Sequence, residues 1–279
     1  MAGTLFIVAT PIGHLEDFSA RAIATLRQVA VIACEDTRVS RRLLDAHAIA
    51  TPLVALHQHN ERGAAEALIA RLQGGEDVAL ISDAGTPLVS DPGATLTRLA
   101  HDANITVSPV PGASAVMAAL SASGLPGDDF RFAGFVPSRA GERSRFLDTF
   151  AASPCTTVMF ETPHRIADTL AAMRDLYSGE RILVIARELT KQFEQIVRLR
   201  IADAPAWLAS DANHARGEFV LVLEAAAANH DNHGWQTLAD DLREAGVSNR
   251  DAASIVARHT GAAKKAVYQY LIAADGENR

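Results

Sequence analysis

The chain has 279 residues, of which 48% are hydrophobic and 21% charged, and this composition is that of ordinary globular protein. The net charge of −7 argues against a protein that grips nucleic acid with its whole surface, so any such contact must be local. No apolar run approaches the roughly 20 residues that span a bilayer, and the N-terminus lacks the basic region of a signal peptide. We therefore expect a cytoplasmic protein.

The first part of the chain alternates short apolar runs with segments of helical periodicity. The pattern predicts strands at 4–10, 29–34, 53–57, 77–82 and 105–110, and helices at 17–28, 38–48, 61–73, 93–103 and 113–123. The strand segments are continuously apolar, as in VAVIAC, which is typical of strands buried on both faces. We predict an α/β domain around a mostly parallel sheet, whose ligands bind beyond the carboxyl ends of the strands.

A stretch rich in Gly, Pro, Ser and Asp at 121–130 precedes a second series of elements. This series has predicted strands at 131–136, 156–161, 182–187, 195–201 and 218–225, with helices near 141–152 and 164–177. The prediction is an N-terminal α/β domain at 1–121 and a second, mixed α/β domain at 122–227.

A polar linker at 225–234 separates the second domain from a helical tail, which we take as a third domain at 235–279. Within it, 248–273 has the pattern of two short helices broken near Gly261, as in a helix-turn-helix. The residues expected on its apolar faces are Ala253, Ile255, Val256, Val267, Tyr268 and Leu271.

The candidate metal ligands are few. Cys34 and Cys155 are far apart, each in an apolar strand-like run, so we expect neither a disulfide nor a zinc site. His57 and His59 lie two apart on a strand and point to the same side, but they supply only two ligands. We expect no metal.

Three Gly- and Pro-containing loops follow predicted strands. They are ATPIGHLED at 9–17, SDAGTPLVSDPG at 82–93 and PVPGASAV at 109–116. Any one of them could be a plain structural turn, but together they meet at one sheet edge, where free helix amides and backbone can approach a ligand. The three loops favour a cofactor cleft.

Charged residues end the second and third predicted strands. Glu35 and Asp36 close the second strand and Arg38 follows them on a helix, whereas His57 belongs to the third strand. This set could bind a nucleotide, with Asp36 or His57 as a base. Asp36 could instead cap the helix, and His57 and His59 could be exposed polar side chains without a role in catalysis.

Seven motifs in this order resemble one known family over essentially the whole chain. They are ATPIGHLED, ACEDTR, HQHNE, SDAGTPLVSDPG, PVPGASA, FETPHR and RELTKQFE. They resemble the tetrapyrrole methylases, and among these the ribosomal RNA small-subunit methyltransferase I group. The resemblance implies a homodimer of two α/β domains that binds S-adenosylmethionine in the cleft between them. It also implies methylation of a cytidine ribose 2′-oxygen in the decoding region of 16S ribosomal RNA in the small subunit.

The resemblance also implies which residues bind the cofactor. Matching the family's loops in the first domain are Pro11, Ile12, Gly13, Gly85, Thr86, Pro87, Leu88, Val89, Ser114 and Ala115. Matching its second domain are Phe160, Glu161, Ala186, Arg187 and Gly217. Thr86 stands where many tetrapyrrole enzymes carry Asp, and this departure favours the RNA branch of the family.

For catalysis we predict a cluster of Glu35, Asp36, Arg38 and His57, with Asp36 the first choice as base or orienting group. The predicted substrate contacts are Asn60 and Glu61 for the nucleotide and Arg139, Arg143, Lys191, Lys264 and Lys265 for the phosphate backbone. Two other functions stay open: a small-molecule methylase that acts on a tetrapyrrole, and a non-enzymatic regulator that senses a ligand and binds DNA through its tail.

Overall fold

The structure is a computed structural model that describes residues 2–57, 60–227 and 234–276. The chain divides into two compact units, Met1–Ala226 and Ala227–Arg279. Within the described residues, the first unit contains two five-stranded sheets and the second contains three helices.

The first sheet consists of the five N-terminal strands. They are β1 (Thr4–Val8), β2 (Val31–Cys34), β3 (Leu53–Ala55), β4 (Val78–Ile81) and β5 (Thr106–Val110). The strand order is β3-β2-β4-β1-β5, and every pairing is parallel. All residues of β2 and β4 are buried, as their continuous apolar sequences predict. Parallel pairing brings the carboxyl ends of these strands to one edge of the sheet.

Five helices connect or follow these strands: α1 (Ala20–Gln28), α2 (Thr37–Ala46), α3 (Glu61–Gln73), α4 (Ala94–Asp102) and α5 (Ala115–Ser123). Buried residues of α1 and α2 pack in one core cluster with the sheet, and those of α3 and α4 pack in another. The helices therefore cover both faces of the first sheet, which places its polar loops at the strand ends.

The second sheet is mixed. Its strands are β6 (Phe130–Phe135), β7 (Thr156–Glu161), β8 (Ile182–Arg187), β9 (Gln195–Arg200) and β10 (Phe219–Leu223). The order is β6-β7-β10-β8-β9, with β6 and β7 parallel and the other pairs antiparallel. Helices α6 (Ala140–Asp148), α7 (Ile166–Leu176) and α8 (Ala204–Ala209) contribute to the core on one face. The short α8, which has Pro205 in its first turn, is absent from our sequence prediction.

Helix α5 packs on the other face of the second sheet. Val116, Ala119 and Leu120 share a core cluster with Val184 and Val222. The predicted boundary at 121/122 falls inside this helix, whose end is set by Gly124 in a left-handed conformation (φ 66°). Helix α5 thus links the two sheets of the first unit.

The second unit consists of α9 (Gly234–Glu244), α10 (Asn249–Thr260) and α11 (Lys264–Gly276). Gly261 ends α10 with a φ of 74°, so the break falls where the sequence predicts it. Among the residues expected on apolar faces, Ala253, Val256, Val267 and Leu271 are buried and Ile255 is half-buried. The prediction that Tyr268 lies on an apolar face is wrong, because its side chain is 41% exposed.

Candidate active site

Hydrogen bonds join the three loops at the carboxyl edge of the first sheet. In the first and second loops, Thr10 and Gly85 exchange backbone hydrogen bonds of 2.9 and 3.1 Å. The Thr10 hydroxyl also donates to the backbone carbonyl of Ser82 at 3.1 Å. The Thr86 hydroxyl donates to the backbone carbonyl of Ala113 in the third loop at 3.0 Å. The loops therefore form one connected rim.

Two glycines allow close approach within this rim. Gly85 has a φ of +84°, and a Cβ there would lie 3.2 Å from the Ile12 side chain. A Cβ at Gly13 would lie 2.6 Å from Lys191 Cγ and 2.7 Å from Thr190 Oγ1. Beside it, the backbone amide of His14 donates to Thr190 Oγ1 at 3.1 Å. Gly13 thus lets the first loop rest on the connection between β8 and β9.

A cavity of about 340 Å³ lies between these loops and the second sheet, within the size range of small-molecule sites. Of the cofactor residues predicted from the sequence, those that line it are Ile12, Gly85, Thr86, Val89, Ser114, Ala115, Phe160 and Glu161. Its walls are mostly apolar side chains, with carboxylates from Asp83, Asp91 and Glu218 and a hydroxyl from Ser114. We call it the cofactor cavity.

The other predicted cofactor residues do not line this cavity. Pro11, Gly13, Pro87 and Leu88 belong to the same loops, whereas Ala186 is buried in the core beside α5.

Arg187 and Gly217 line a different, open cleft of about 630 Å³. Successive side chains of a strand point to opposite faces, so Arg187 points away from the face on which Ala186 packs. Its guanidinium donates to Gln195 Oε1 and to the carbonyl of Arg216. The structure therefore does not bring Arg187 and Gly217 to the cofactor cavity.

Glu161 is engaged in the protein's own hydrogen bonds. Its fully buried carboxylate accepts from the Thr169 hydroxyl at 2.6 Å, from Arg165 Nε at 2.9 Å and from the Thr162 amide at 2.7 Å. These bonds anchor the start of α7 and leave the carboxylate little capacity for a ligand.

Lys191, predicted to contact phosphate, lies in the wall of the cofactor cavity instead. Its ammonium lies 3.0 Å from Glu188 Oε1 and 2.8 Å from Glu218 Oε2. Two carboxylates therefore already pair with its charge, which makes it less available to an RNA phosphate than an unpaired lysine.

The predicted catalytic residues come together in a second, shallower cavity of about 440 Å³. We call it the outer cavity; its lining includes Glu35, Asp36, Arg38, His57 and also Asp83. Asp83 lines both cavities, and its Oδ1 accepts the backbone amide of Asp36 at 3.3 Å. One carboxylate thus lies where the two cavities meet. His59, which we considered together with His57, lies outside the described residues.

Asp36 is the N-cap of α2. Its Oδ1 accepts the Arg38 amide at 2.8 Å, and its Oδ2 lies 3.4 Å from Arg38 Nη2. The hydrogen bond from the Arg38 backbone, assisted by the Arg38 side chain, lowers the pKa of the Asp36 carboxyl. This geometry supports the alternative that Asp36 caps the helix. In addition, a carboxylate of lowered pKa is a weak base. The Arg38 side chain is 88% exposed, so its guanidinium stays accessible to a phosphate although it pairs with Asp36.

Asn60 and Glu61 also have roles within the fold. Asn60 Oδ1 accepts the backbone amide of His57 at 2.9 Å, which closes the turn after β3. Glu61 Oε1 accepts the amides of Gly93 and Thr95 at 3.0 and 3.1 Å and so caps the start of α4. These bonds engage Asn60 Oδ1 and one of the two Glu61 carboxylate oxygens within the fold, whereas the sequence predicts that both side chains orient a nucleotide.

The predicted cationic contacts differ in exposure. The prediction that Arg143 contacts an RNA phosphate is wrong, because its side chain is only 8% exposed and its guanidinium lies 3.2 Å from the Asp168 carboxylate. It also donates to the Ser138 carbonyl, so it anchors α6 rather than presenting a charge to RNA. Arg139 is exposed in the first unit, and Lys264 and Lys265 are exposed in the second.

Two acids of the site are not among the residues predicted from the sequence, although both lie in the motif SDAGTPLVSDPG. Asp83 and Asp91 flank the turn of this motif, and our prediction there rests only on its glycines and prolines. Burial raises the pKa of the Asp91 carboxyl to about 6, and repulsion from Glu35 and Asp83 adds to the increase, whereas Ser82 opposes it by hydrogen bonding. Burial also raises the pKa of Asp83. The available signal was the placement of two acids in a loop expected to bind a ligand.

The described residues, which omit 58–59, 228–233 and both chain ends, contain no group of three His, Cys, Asp or Glu side chains that could hold a metal ion. In the same residues, no helix has the length and apolar character needed to cross a membrane.

Comparison with known families and proteins decides the classification. The family model described as Tetrapyrrole (Corrin/Porphyrin) Methylases matches residues 4–205. The chain belongs to this methylase family. A second model, described as the RsmI C-terminal HTH domain, matches residues 236–275. The predicted fold class and the predicted class of S-adenosylmethionine-dependent methyltransferase are thereby confirmed.

Individual members of the methylase family agree with this assignment. Ribosomal RNA small subunit methyltransferase I of Pseudomonas aeruginosa is 49% identical over 99% of both chains. The X-ray structure of cobalt precorrin-4 methyltransferase, a cobalamin biosynthetic enzyme, has a TM-score of 0.60 at 17% identity and covers 79% of this chain and 94% of its own.

A uroporphyrin-III C-methyltransferase from Thermus thermophilus, complexed with S-adenyl homocysteine, has a TM-score of 0.53 at 17% identity, with 80% and 97% of the two chains covered. At these identities the two solved structures support the fold of this methylase.

Proposed function

We propose that this protein transfers the methyl group of S-adenosylmethionine to a cytidine ribose 2′-oxygen in the decoding region of 16S ribosomal RNA. The observation that carries the proposal is the 49% identity, over 99% of both chains, to a ribosomal RNA small subunit methyltransferase I. The identity extends through the helical second unit, which a porphyrinoid methylase of the same fold does not need for its small substrate.

The cofactor cavity has the chemistry that S-adenosylmethionine requires. Apolar walls that include Phe160 suit the adenine ring, and the loop backbone around Gly85 and Thr86 lies open to polar contacts. The carboxylates of Asp83 and Asp91 suit a ligand with positive charge on its sulfonium and ammonium. When bound, the sulfonium supplies the electrophilic methyl group, so the protein's own task is to position the attacking oxygen and remove its proton.

The outer cavity is our proposed entry for the target nucleotide. It adjoins the cofactor cavity at Asp83, and the exposed guanidinium of Arg38 at its rim suits a neighbouring phosphate. Arg139 offers a further exposed charge. Such isolated cations fit a protein of net charge −7 that meets RNA at a few local points.

The second unit supplies a further proposed RNA contact through α11. Its residues Lys264, Lys265, Tyr268, Gln269 and Ile272 are all exposed, and their spacing places them on one side of the helix. Two cations and an aromatic ring on one helical face suit a phosphate backbone and an unpaired base. We further propose that the enzyme acts as a homodimer in the cytoplasm, as its resemblance to the ribosomal RNA group implies.

Methyl transfer from labelled S-adenosylmethionine tests the proposal. Purified protein is incubated with small ribosomal subunits from a strain that lacks the modification, with free 16S RNA, and with tetrapyrrole precursors. We expect label in the ribosomal RNA, at a cytidine whose 3′ phosphodiester resists alkaline cleavage because its 2′-oxygen is methylated. EDTA should leave the rate unchanged. Label on a base, or on a tetrapyrrole alone, contradicts the proposal.

A further inference from the structure

We infer that Asp91 is the general base of the reaction, the carboxylate that accepts the proton of the ribose hydroxyl as its oxygen takes the methyl group. The inference rests on the proposed function, because it concerns the nucleophile of that reaction. It assigns the proton to a residue outside the cluster of Glu35, Asp36, Arg38 and His57 that the sequence suggests.

The first ground is position. Asp91 lines the cofactor cavity together with Asp83, which also lines the outer cavity, and Glu35 of the outer cavity is close enough to repel its charge. Asp91 therefore lies beside the passage through which a nucleotide in the outer cavity must reach a methyl donor in the cofactor cavity. A general base has to lie within hydrogen-bonding reach of the oxygen at that meeting point.

The second ground is the shape and support of the loop that carries Asp91. Leu88 and Ser90 have φ angles of 71° and 70°, a left-handed conformation that is unfavourable for residues with a Cβ. Gly93 has a φ of 120°, and the Glu61 carboxylate accepts its amide. The fold thus holds residues 88–93 in an unfavourable path that presents Asp91 at the cavity, as is common at functional sites.

The third ground is the charge around Asp91. Besides Glu35 and Asp83, the Ser82 hydroxyl faces it, and the other walls of the cavity carry Lys191 and Glu218. Lys191 is already neutralised by Glu188 and Glu218, so it does little to stabilise an ionised Asp91. Burial and two acidic neighbours give Asp91 a pKa of about 6, near the range in which a base both ionises at neutral pH and takes up a proton readily.

The other candidates are less suited. Asp36 is committed to the cap of α2 and has a lowered pKa. Asp83 accepts the Asp36 amide and so fixes the start of α2 against the second loop, a positioning role. His57 lines only the outer cavity.

The step balances as a single displacement. The ribose oxygen forms a bond to the methyl carbon while the carbon–sulfur bond breaks and its electron pair stays on sulfur. The hydroxyl proton moves to Asp91, which becomes a neutral carboxylic acid and later returns the proton to water. The neutral acid is a state that this buried, acidic environment stabilises.

The test is Asp91→Asn in the full-length protein, measured in single-turnover methylation of small subunits. We expect the rate at saturating S-adenosylmethionine to fall a hundredfold or more, a loss much larger than the loss of cofactor affinity that removal of one carboxylate causes. The wild-type rate should rise tenfold per pH unit below the pKa of the base and then level off, and this dependence should disappear in the variant. Asp102→Asn, at the exposed end of α4, is the matched control and should behave as wild type.

Calorimetry supplies a readout that does not depend on turnover. A cationic ligand lowers the pKa of a nearby carboxyl, so binding of S-adenosylmethionine near pH 6 should release protons from the wild type. The release, obtained from binding heats in buffers of different ionisation enthalpy, should be clearly smaller in Asp91→Asn than in the wild type. Equal proton release and a rate within threefold of wild type overturn the inference.

The two proposals fail in different ways. If wild-type protein methylates a different substrate, the proposed function fails whatever the variant does. If wild-type protein methylates the ribose and Asp91→Asn retains both its rate and its pH dependence, only the assignment of the base fails. Should Asp91→Asn not fold, Asp91→Glu keeps the carboxylate, and an apparent pKa of its rate equal to the wild-type value contradicts the assignment.

Discussion

The Thr86 hydroxyl donates a 3.0 Å hydrogen bond to the backbone carbonyl of Ala113, 27 residues further along the chain. This bond joins the loop after β4 to the loop after β5, beneath the cofactor cavity. The threonine hydroxyl thus has a structural role in the rim of the cavity. It holds the two loops at the spacing that Ser114 and Ala115 require to line the same cavity.

Replacing Thr86 by valine keeps the shape of the side chain and removes this hydrogen bond. We expect affinity for S-adenosylmethionine to fall about threefold to tenfold, because a hydrogen bond of this kind contributes about 1 kcal/mol. Calorimetry measures the change. Thr86→Ser, which keeps the hydroxyl, should bind within twofold of wild type; equal losses in both variants would show that the methyl group matters instead.

Substitutions at Asp36 separate helix capping from proton transfer. Asp36→Ala should reduce the free energy of unfolding by about 1 kcal/mol, since it removes the N-cap of α2. Asp36→Asn keeps a capping oxygen without the charge, so its stability and its turnover should stay close to wild type. A hundredfold loss of turnover in the folded Asn variant would return Asp36 to the role of base.

Thr169→Val tests the structural role of Glu161. Valine leaves the buried Glu161 Oε2 without the hydroxyl that donates to it at 2.6 Å. We expect a loss of about 2 kcal/mol in unfolding free energy, as for a hydrogen bond to a buried charge. The control is Thr149→Val, whose exposed hydroxyl bonds within its own helix turn, and urea denaturation should detect no loss beyond about 0.5 kcal/mol there.

The ionised carboxylate of Asp91 should reduce the free energy of unfolding at neutral pH. Its pKa is raised in the folded protein from 3.8 to about 6, so the folded state holds the proton over a pH range in which the unfolded chain has released it. Unfolding free energy therefore falls as the pH rises from about 4 to about 6. We expect Asp91→Asn to be more stable than wild type by about 1 kcal/mol above pH 6, after solvent screening of this half-buried group. The gain should vanish near pH 4, and a gain that is independent of pH contradicts the assignment.

Reversing the charge of Lys264 and Lys265 tests the second unit. The double change to Glu in full-length protein should weaken binding to small subunits about tenfold or more, and the slope of log affinity against log salt should become shallower by about 2. Affinity for S-adenosylmethionine should not change. The control is the double variant Arg62→Glu and Arg98→Glu on α3 and α4, which changes the net charge by the same amount in the first unit. An equal loss of affinity for small subunits in this control would indicate a long-range charge effect rather than contact through α11.

The sequence by itself determined the strands, the helices other than α8, and the meeting of the three Gly- and Pro-containing loops at one sheet edge. Continuous apolar runs such as VAVIAC predict buried parallel strands, and parallel strands necessarily bring their carboxyl ends, and the loops that follow, to one edge. Gly261 likewise marks the break in the tail, because a left-handed residue ends a helix wherever the chain places it. These features depend on local conformation and on periodicity, which neighbours in sequence decide.

Only the tertiary structure decided how each polar side chain is used. Glu61 caps a helix that begins more than 30 residues later, Arg143 is buried against Asp168, and Arg187 lies on the face of its strand opposite to Ala186. The raised pKa of Asp91 depends on its burial and on repulsion from Glu35, which follows β2. Hydrogen bonding, burial and charge repulsion act between residues that are close in space, and for these residues that closeness exists only once the strands are paired and the helices packed.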